Sequence, residues 1–204
     1  MQDDQDTPLG PFFEPVIRPG DFLVATPSLR DPHFFRSVIL ICDHDVGGSF
    51  GLMVNRPTEI PIDRVLEDFD AEGVKERCLQ FGGPVDQEKI FALCQLGTDD
   101  ECDPDAAQRK IGAGLFIPDD LQETLDKIRD GKDALQNYRF FLGYTGWGEG
   151  QLQQEISEQS WVISRGSGIR LLETPAEQMW AAALSEMGGE PLLWSMMPPE
   201  PDWN

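Results

Sequence analysis

Val38, Ile39, Leu40 and Ile41 follow one another with no polar residue between them, and Gly47-Gly48 then separates this run from Phe50 to Val54. A short apolar run bounded by turn residues reads as a buried strand, and a Gly-Gly pair between two such runs reads as a β-hairpin. A hairpin needs no helix between its strands, whereas a parallel pair needs a crossover. The same punctuation recurs. Phe22 to Ala25 stops at Pro27, and Asp31-Pro32 marks a turn before the next run. Further strands read at Leu79 to Phe81, Lys89 to Leu96, Ala113 to Ile117, Arg139 to Tyr144, Trp161 to Ser164 and Ile169 to Leu172. Hairpins outnumber strand-helix-strand units, which favours α+β over a doubly wound parallel sheet.

Helical spacing interrupts the strands in a few places. Ile62, Val65, Leu66 and Phe69 recur at the period of one helix face, closed near Gly73. Asp119 with Gln122 makes a capping box for a helix whose stripe is Leu121, Leu125 and Ile128. A short helix reads over Gly150 to Ser157. Thr174-Pro175-Ala176-Glu177 starts another, whose buried face is Met179, Trp180, Ala183, Leu184 and Met187. There is no internal repeat and no long linker. The organisation is an N-terminal tail over 1–15, one compact domain over 16–190, and a proline-rich C-terminal tail over 191–204, irregular after Gly188-Gly189.

The net charge of -21 narrows the partners. Affinity for nucleic acid comes mostly from Lys and Arg neutralising phosphates, and the 16 here are scattered among 37 acids. Direct DNA binding is therefore not expected. The densest acidic cluster, Asp99 to Asp105, reads as a solvated loop. The sequence has no apolar run long enough to span a membrane, and Asp3, Asp4 and Asp6 oppose an export signal, so a cytoplasmic location is expected. Cys42, Cys78, Cys94 and Cys102 contain no C-x-x-C pair and are read as reduced, with Cys42 and Cys94 in apolar strands.

Three segments carry candidate chemistry. Gly47-Gly48-Ser49-Phe50-Gly51 fits G-x-S-x-G, but a strand follows where a nucleophile elbow needs a helix, so the segment reads as a turn. Cys42 and His44 would share one strand face with Asp43 and Asp45 opposite, and no second ligand cluster completes a metal site. Gly143 to Gly150, which includes Tyr144 and Trp147, reads as a loop between strand and helix where backbone N–H groups could meet a ligand. It lacks the spacing and the lysine of a phosphate loop. Next to it Gln151 and Glu155 fall on one helix face, with Leu152 and Ile156 on the neighbouring face toward the core.

These residues resemble the YqgE/AlgH family of bacterial proteins from about Gly20 to Gly188. Three blocks carry the resemblance. The first runs from Thr26-Pro27-Ser28-Leu29-Arg30-Asp31-Pro32 through Phe35-Arg36-Ser37-Val38 and Cys42-Asp43-His44 to Gly51-Leu52-Met53-Val54-Asn55-Arg56-Pro57. The second is Phe81-Gly82-Gly83-Pro84-Val85. The third is Gly143-Tyr144-Thr145-Gly146-Trp147 with Gly150 to Ile156 and Trp161. Thr145 stands where the family has a small alanine-like residue, Gln153 where glutamate is common, and alanine is tolerated at the place of Ser49. The resemblance implies a strongly curved, largely antiparallel sheet packed by several short helices, and no established activity or cofactor. Members are often labelled transcriptional regulators, yet this sequence shows no helix-turn-helix with a basic recognition helix.

Two function classes follow. One is a non-enzymatic regulatory or binding protein acting through a protein or small-molecule partner. The other is a hydrolase using His44 as base, oriented by Asp43 or Asp31. The sequence assigns no catalytic residue. The three blocks are expected to gather, bringing Asp31, His44, Asn55, Gly82, Gly83, Tyr144, Trp147, Gln151 and Glu155 around one pocket with Gly143 to Glu155 as a wall.

Overall fold

The computed structural model describes residues 16–66, 69–95, 108–112, 114–165 and 168–198. The expected N-terminal tail, the acidic Asp99 to Asp105 cluster and Cys102 lie outside them. Ten strands and six helices are described: β1 Phe22–Ala25, β2 Val38–Asp45, β3 Gly48–Met53, β4 Pro57–Pro61, α1 Ile62–Val65, β5 Cys78–Phe81, β6 Val85–Gln95, β7 Gln108–Gly112, β8 Leu115–Pro118, α2 Leu121–Arg129, β9 Tyr138–Gly148, α3 Gln151–Ser157, β10 Trp161–Ser164, α4 Gly168–Glu173, α5 Ala176–Met187 and α6 Gly189–Ser195. The fold is a single α+β domain built on one curled sheet.

Strands follow the order β10-β1-β2-β3-β9-β6-β8-β7, and β4 and β5 branch from β9. All these pairings are antiparallel except β5 with β9. The Gly47-Gly48 hairpin forms with His44 opposite Ser49 and Asp45 opposite Gly48. β9 is the hub: it pairs with β6 from Tyr138 to Tyr144, with β5 at Phe141 and Leu142, and with β3 from Thr145 to Gly148.

Apolar residues sort to the two faces by the strand period of two. On one face Val38, Leu40, Cys42 and Leu52 pack under Met179, Trp180, Ala183 and Leu184 of α5. On the other, Ile39, Ile41, Met53, Trp147 and Trp161 pack around Leu152 of α3. A third cluster joins Leu125 and Ile128 of α2 to Leu79, Phe116 and Phe140. The rule that one strand shows alternate residues to opposite sides accounts for both sets within β2. Cys42 and Cys94 are buried in the sheet.

Several elements differ from the sequence expectations. Ile169 to Leu172 is not a strand but belongs to α4, whose Leu171 and Leu172 are buried beside α5. A short apolar run carries no period that separates strand from helix. The helix at Ile62 ends at Val65, which is 38% exposed, so only Ile62 and Phe69 of the expected stripe are buried. The cap of α2 is Asp120, accepting from Glu123 N at 3.1 Å, one residue beyond Asp119. At α5 the Thr174 hydroxyl donates back to Arg170 O and Pro175 holds the cap position. β4 and β7 have no apolar run to announce them: β4 begins and ends in proline and β7 reads Gln-Arg-Lys-Ile-Gly. Prolines at strand ends and charged edges are how sheets end without inviting further pairing. α6 forms where the irregular tail was expected.

Candidate functional site

The glycine segment Gly143 to Gly148 is strand rather than loop, and this places the site. Gly146 and Gly148 of β9 lie opposite Phe50 and Gly48 of β3, so the two strands meet close together beside the hairpin. On the α5 side of the sheet they leave a cavity of about 720 Å³ bordered by Phe50, Phe91 and Tyr144, with Asp43 and Asp45 of β2 and Lys89 of β6 around it. The three rings sit 5.1, 5.2 and 5.6 Å apart between centroids. Rings in mutual contact leave no gap for a guest between them, so they form a floor rather than a cage. Lys89 makes an exposed 3.8 Å pair with Asp86, which adds little and leaves its ammonium in solvent.

On the opposite face of the hairpin, His44 Nδ1 and Ser49 Oγ are 2.8 Å apart, and His44 Nε2 faces Gln153 Nε2 of α3 at 3.5 Å. Neither expected carboxylate orients the ring. Asp43 Oδ1 accepts from the backbone N–H of His44 at 3.0 Å and Asp31 Oδ1 from that of His33 at 2.9 Å. A register shift between Ile41 and Asp43 puts Asp43 on the side of Cys42 and Phe50 and His44 on the other, so the expected shared face of Cys42 and His44 does not form, and Asp31 caps its own turn.

Gln151 and Glu155 share a helix face, as their spacing requires, but that face looks at tryptophans. Glu155 Oε2 accepts from Trp147 Nε1 at 2.9 Å and from Trp161 Nε1 at 2.7 Å, and its Oε1 from Gln151 Nε2 at 2.9 Å. Gln151 Oε1 in turn takes the Gly148 N–H at 3.1 Å. The two indoles meet edge to face at 6.2 Å. This carboxylate pins α3 to β9 and β10.

The three sequence blocks do lie side by side in the sheet. Gly82 O accepts from Met53 N at 2.8 Å and from Thr145 Oγ1 at 3.3 Å. At Gly83, with φ +152, a Cβ would stand 2.2 Å from Tyr144 O, so close strand approach demands glycine there. They do not converge on one pocket, however. Asn55 is buried, accepts from Val38 N and donates to Arg36 O, both at 2.9 Å, and so holds a turn away from Trp147. Of the nine expected site residues, Tyr144 and Trp147 border the cavity.

With that geometry in hand, comparison with known proteins places the chain. Residues 22–192 match the AlgH-like family. The chain belongs to it. A UPF0301 protein of Cytophaga hutchinsonii is 36% identical over 93% of this chain and 100% of its own length. One of Bacteroides thetaiotaomicron is 32% identical over 91% of this chain and 90% of its own. The solution structure of the AlgH protein from Pseudomonas aeruginosa superimposes with a TM-score of 0.66 at 26% identity, covering 98% of this chain and 100% of that one. A Corynebacterium diphtheriae protein shares the fold with a TM-score of 0.71 at 21% identity, over 90% and 94% of the two chains.

In this AlgH-like chain the cavity's Phe50, Phe91 and Lys89 went unnoticed in the sequence. Phe50 and Phe91 lie in strands where an aromatic residue reads as core, and only the pairing of β3 and β6 with β9 brings them to one opening. Among the described residues no group of three or more His, Cys, Asp or Glu side chains is placed to hold a metal ion. No described helix is long and apolar enough to cross a membrane.

Proposed function

We propose that this chain is a cytoplasmic, non-enzymatic binding protein whose ligand lies on the aromatic floor of Phe50, Phe91 and Tyr144. The observation that carries the reading is that floor, open in a cavity of about 720 Å³ with Asp43 and Asp45 at its border. An apolar or planar group gains contact area on the rings, and a cation attached to it gains the carboxylates and the ring faces. The net charge of -21 favours the same sign of ligand at longer range. Tryptamine-type amines and the matching indole carboxylates separate this chemistry. In a two-dimensional NMR titration the amines should shift the Phe50, Phe91 and Tyr144 amides saturably, the carboxylates should not, and Tyr144→Ala should abolish the effect. Equal shifts from both series, or shifts elsewhere only, would reject the reading.

A second reading, acyl transfer, is favoured by the 2.8 Å contact of Ser49 Oγ with His44 Nδ1. Its weakness is the tautomer. In the tautomer that lets the Gln153 amide donate to His44 Nε2 at 3.5 Å, the ring proton sits on Nδ1 and is donated to Ser49. Such a histidine cannot take the serine proton. A carboxylate at position 153 would reverse the tautomer, so Gln153→Glu should raise labelling of Ser49 by a fluorophosphonate at least tenfold. Wild-type labelling as fast as the variant's would favour the enzyme reading over the binding one.

A further inference from the structure

Three polar side chains of the first block, Arg36, Asn55 and Arg56, hold one surface turn. Asn55 holds Arg36 O, and Arg56 donates to Phe35 O. Burial lowers the Arg56 pKa below its ordinary value. Arg36, in a left-handed conformation at φ 53, donates to the carbonyls of Met197 and Pro198. Its guanidinium lies 4.3 Å from the Trp180 ring and 5.6 Å from the Phe35 ring. The turn therefore grips the end of α6, and Trp194 of α6 packs inward against the core. A side chain other than glycine held at positive φ is a costly backbone state that surrounding contacts must maintain.

What this machinery presents outward is apolar. Phe35 is 42% exposed, Leu193 64%, Met196 71% and Met197 45%. Leu193 near the end of α6 is followed by Met196 and Met197 in the turn that closes it, and the Arg36 contacts join Phe35 to that end of the helix. From Leu171 to Pro198 the chain carries Glu173, Glu177, Glu186 and Glu190, on α4, α5 and α6, and not one lysine or arginine. A Leu/Met face adapts to varied apolar side chains, and the four glutamates of α4 to α6 in a chain of net charge -21 favour a cationic partner over a second copy of the same chain.

We infer that the Phe35–α6 face is a docking surface for a basic amphipathic helix of a partner protein. The partner lays its leucine-type stripe on Phe35, Leu193 and Met196 while its lysines or arginines face the glutamates of α4 to α6. This surface is separate from the aromatic cavity and does not depend on it.

The test uses the full chain and a fluorescein-labelled synthetic helix of leucine and lysine in amphipathic order, followed by anisotropy at low and at physiological salt. Saturable binding that weakens with salt is expected. The double variant Leu193→Asp/Met196→Asp should bind at least tenfold more weakly, Phe35→Ser should also weaken binding, and Tyr144→Ala should bind as wild type does. Thermal melts of the variants should stay close to wild type because the replaced side chains are exposed. Absence of binding, unchanged binding by the double variant, or equal binding of a leucine-glutamate peptide would overturn the proposal. So would sedimentation showing a wild-type dimer that the double variant dissolves, since the face would then be covered by a second copy.

Discussion

Replacing Glu155 by alanine removes the acceptor shared by two indole N–H groups. Trp147 and Trp161 are 6% and 2% exposed, so water has little access to either donor. A buried donor left without a partner costs about 1–3 kcal/mol, and the Gln151 contact is exposed enough to be discounted. Two donors together give a loss of about 2–6 kcal/mol. For a chain of 204 residues each kcal/mol lowers Tm by roughly 2–4 °C, so a mid-range loss of about 4 kcal/mol means roughly 8–16 °C. Glu155→Gln is the informative companion. Both tryptophans donate to the same oxygen, Oε2, and the glutamine carbonyl can occupy that place, so its loss should stay near 1 kcal/mol. Urea unfolding followed by tryptophan fluorescence, with thermal melts by circular dichroism, gives both numbers. An alanine variant within about 1 kcal/mol of wild type would refute the pin.

Burial, and then the hydrogen bond to Asp133, raise the Tyr138 pKa far above its ordinary 10.0. The folded state thus favours the protonated phenol: this contribution is complete below pH 10.0 and is lost as pH climbs beyond it. In a Tyr144→Phe background Tyr138 is the single tyrosine, and its 295 nm absorbance should rise only together with alkaline unfolding, while Tyr138→Phe should flatten stability above that pH. Titration of Tyr138 in the folded chain near its ordinary pKa would contradict this. Gly83→Ala, which puts a Cβ 2.2 Å from Tyr144 O, should destabilise by at least about 3 kcal/mol or abolish soluble expression. A normal melt would show that β9 can move aside. The protein should not shift a defined DNA duplex at physiological salt, because 37 acids oppose 16 bases, and saturable sub-micromolar binding in an anisotropy titration would overturn that expectation.

The elements that could be read from the sequence are those whose pattern has a period or a punctuation mark. The β2–β3 hairpin was legible in Val38 to Ile41 and Gly47-Gly48, and α2 in Leu121, Leu125 and Ile128. Ile169 to Leu172 was not, because an apolar run of that length fits a buried strand and a buried helix equally well. β4 and β7 were silent for a different reason. Edge strands bury few side chains, so their residues are chosen to end the sheet and carry no apolar signature. The glycines of Gly143 to Gly148 misled most directly: they suggest a loop, whereas in β9 they let a long strand lie against close neighbours on both edges.

The candidate site was harder to read because residue type reports chemistry and not direction. Asp43 and His44 are adjacent in sequence, but the strand sends one toward the aromatic cavity and the other toward Ser49 and α3. Glu155 has the residue type of a catalytic acid, and two indole N–H groups occupy the oxygen it would need. Asn55 has the residue type of a ligand contact, and both ends of its amide are taken by the backbone of Arg36 and Val38. Each of these side chains is polar because a neighbouring backbone or indole group needs a partner away from water. Phe50, Phe91 and Tyr144 show the converse: as core-type residues they signal nothing in sequence, yet the strand order leaves their rings facing an opening. In a sheet that curls this far, the polar residues of the motif blocks mark where strands are fastened. The surface left free for a ligand lies between those fastenings, on side chains whose residue type alone would assign them to the core.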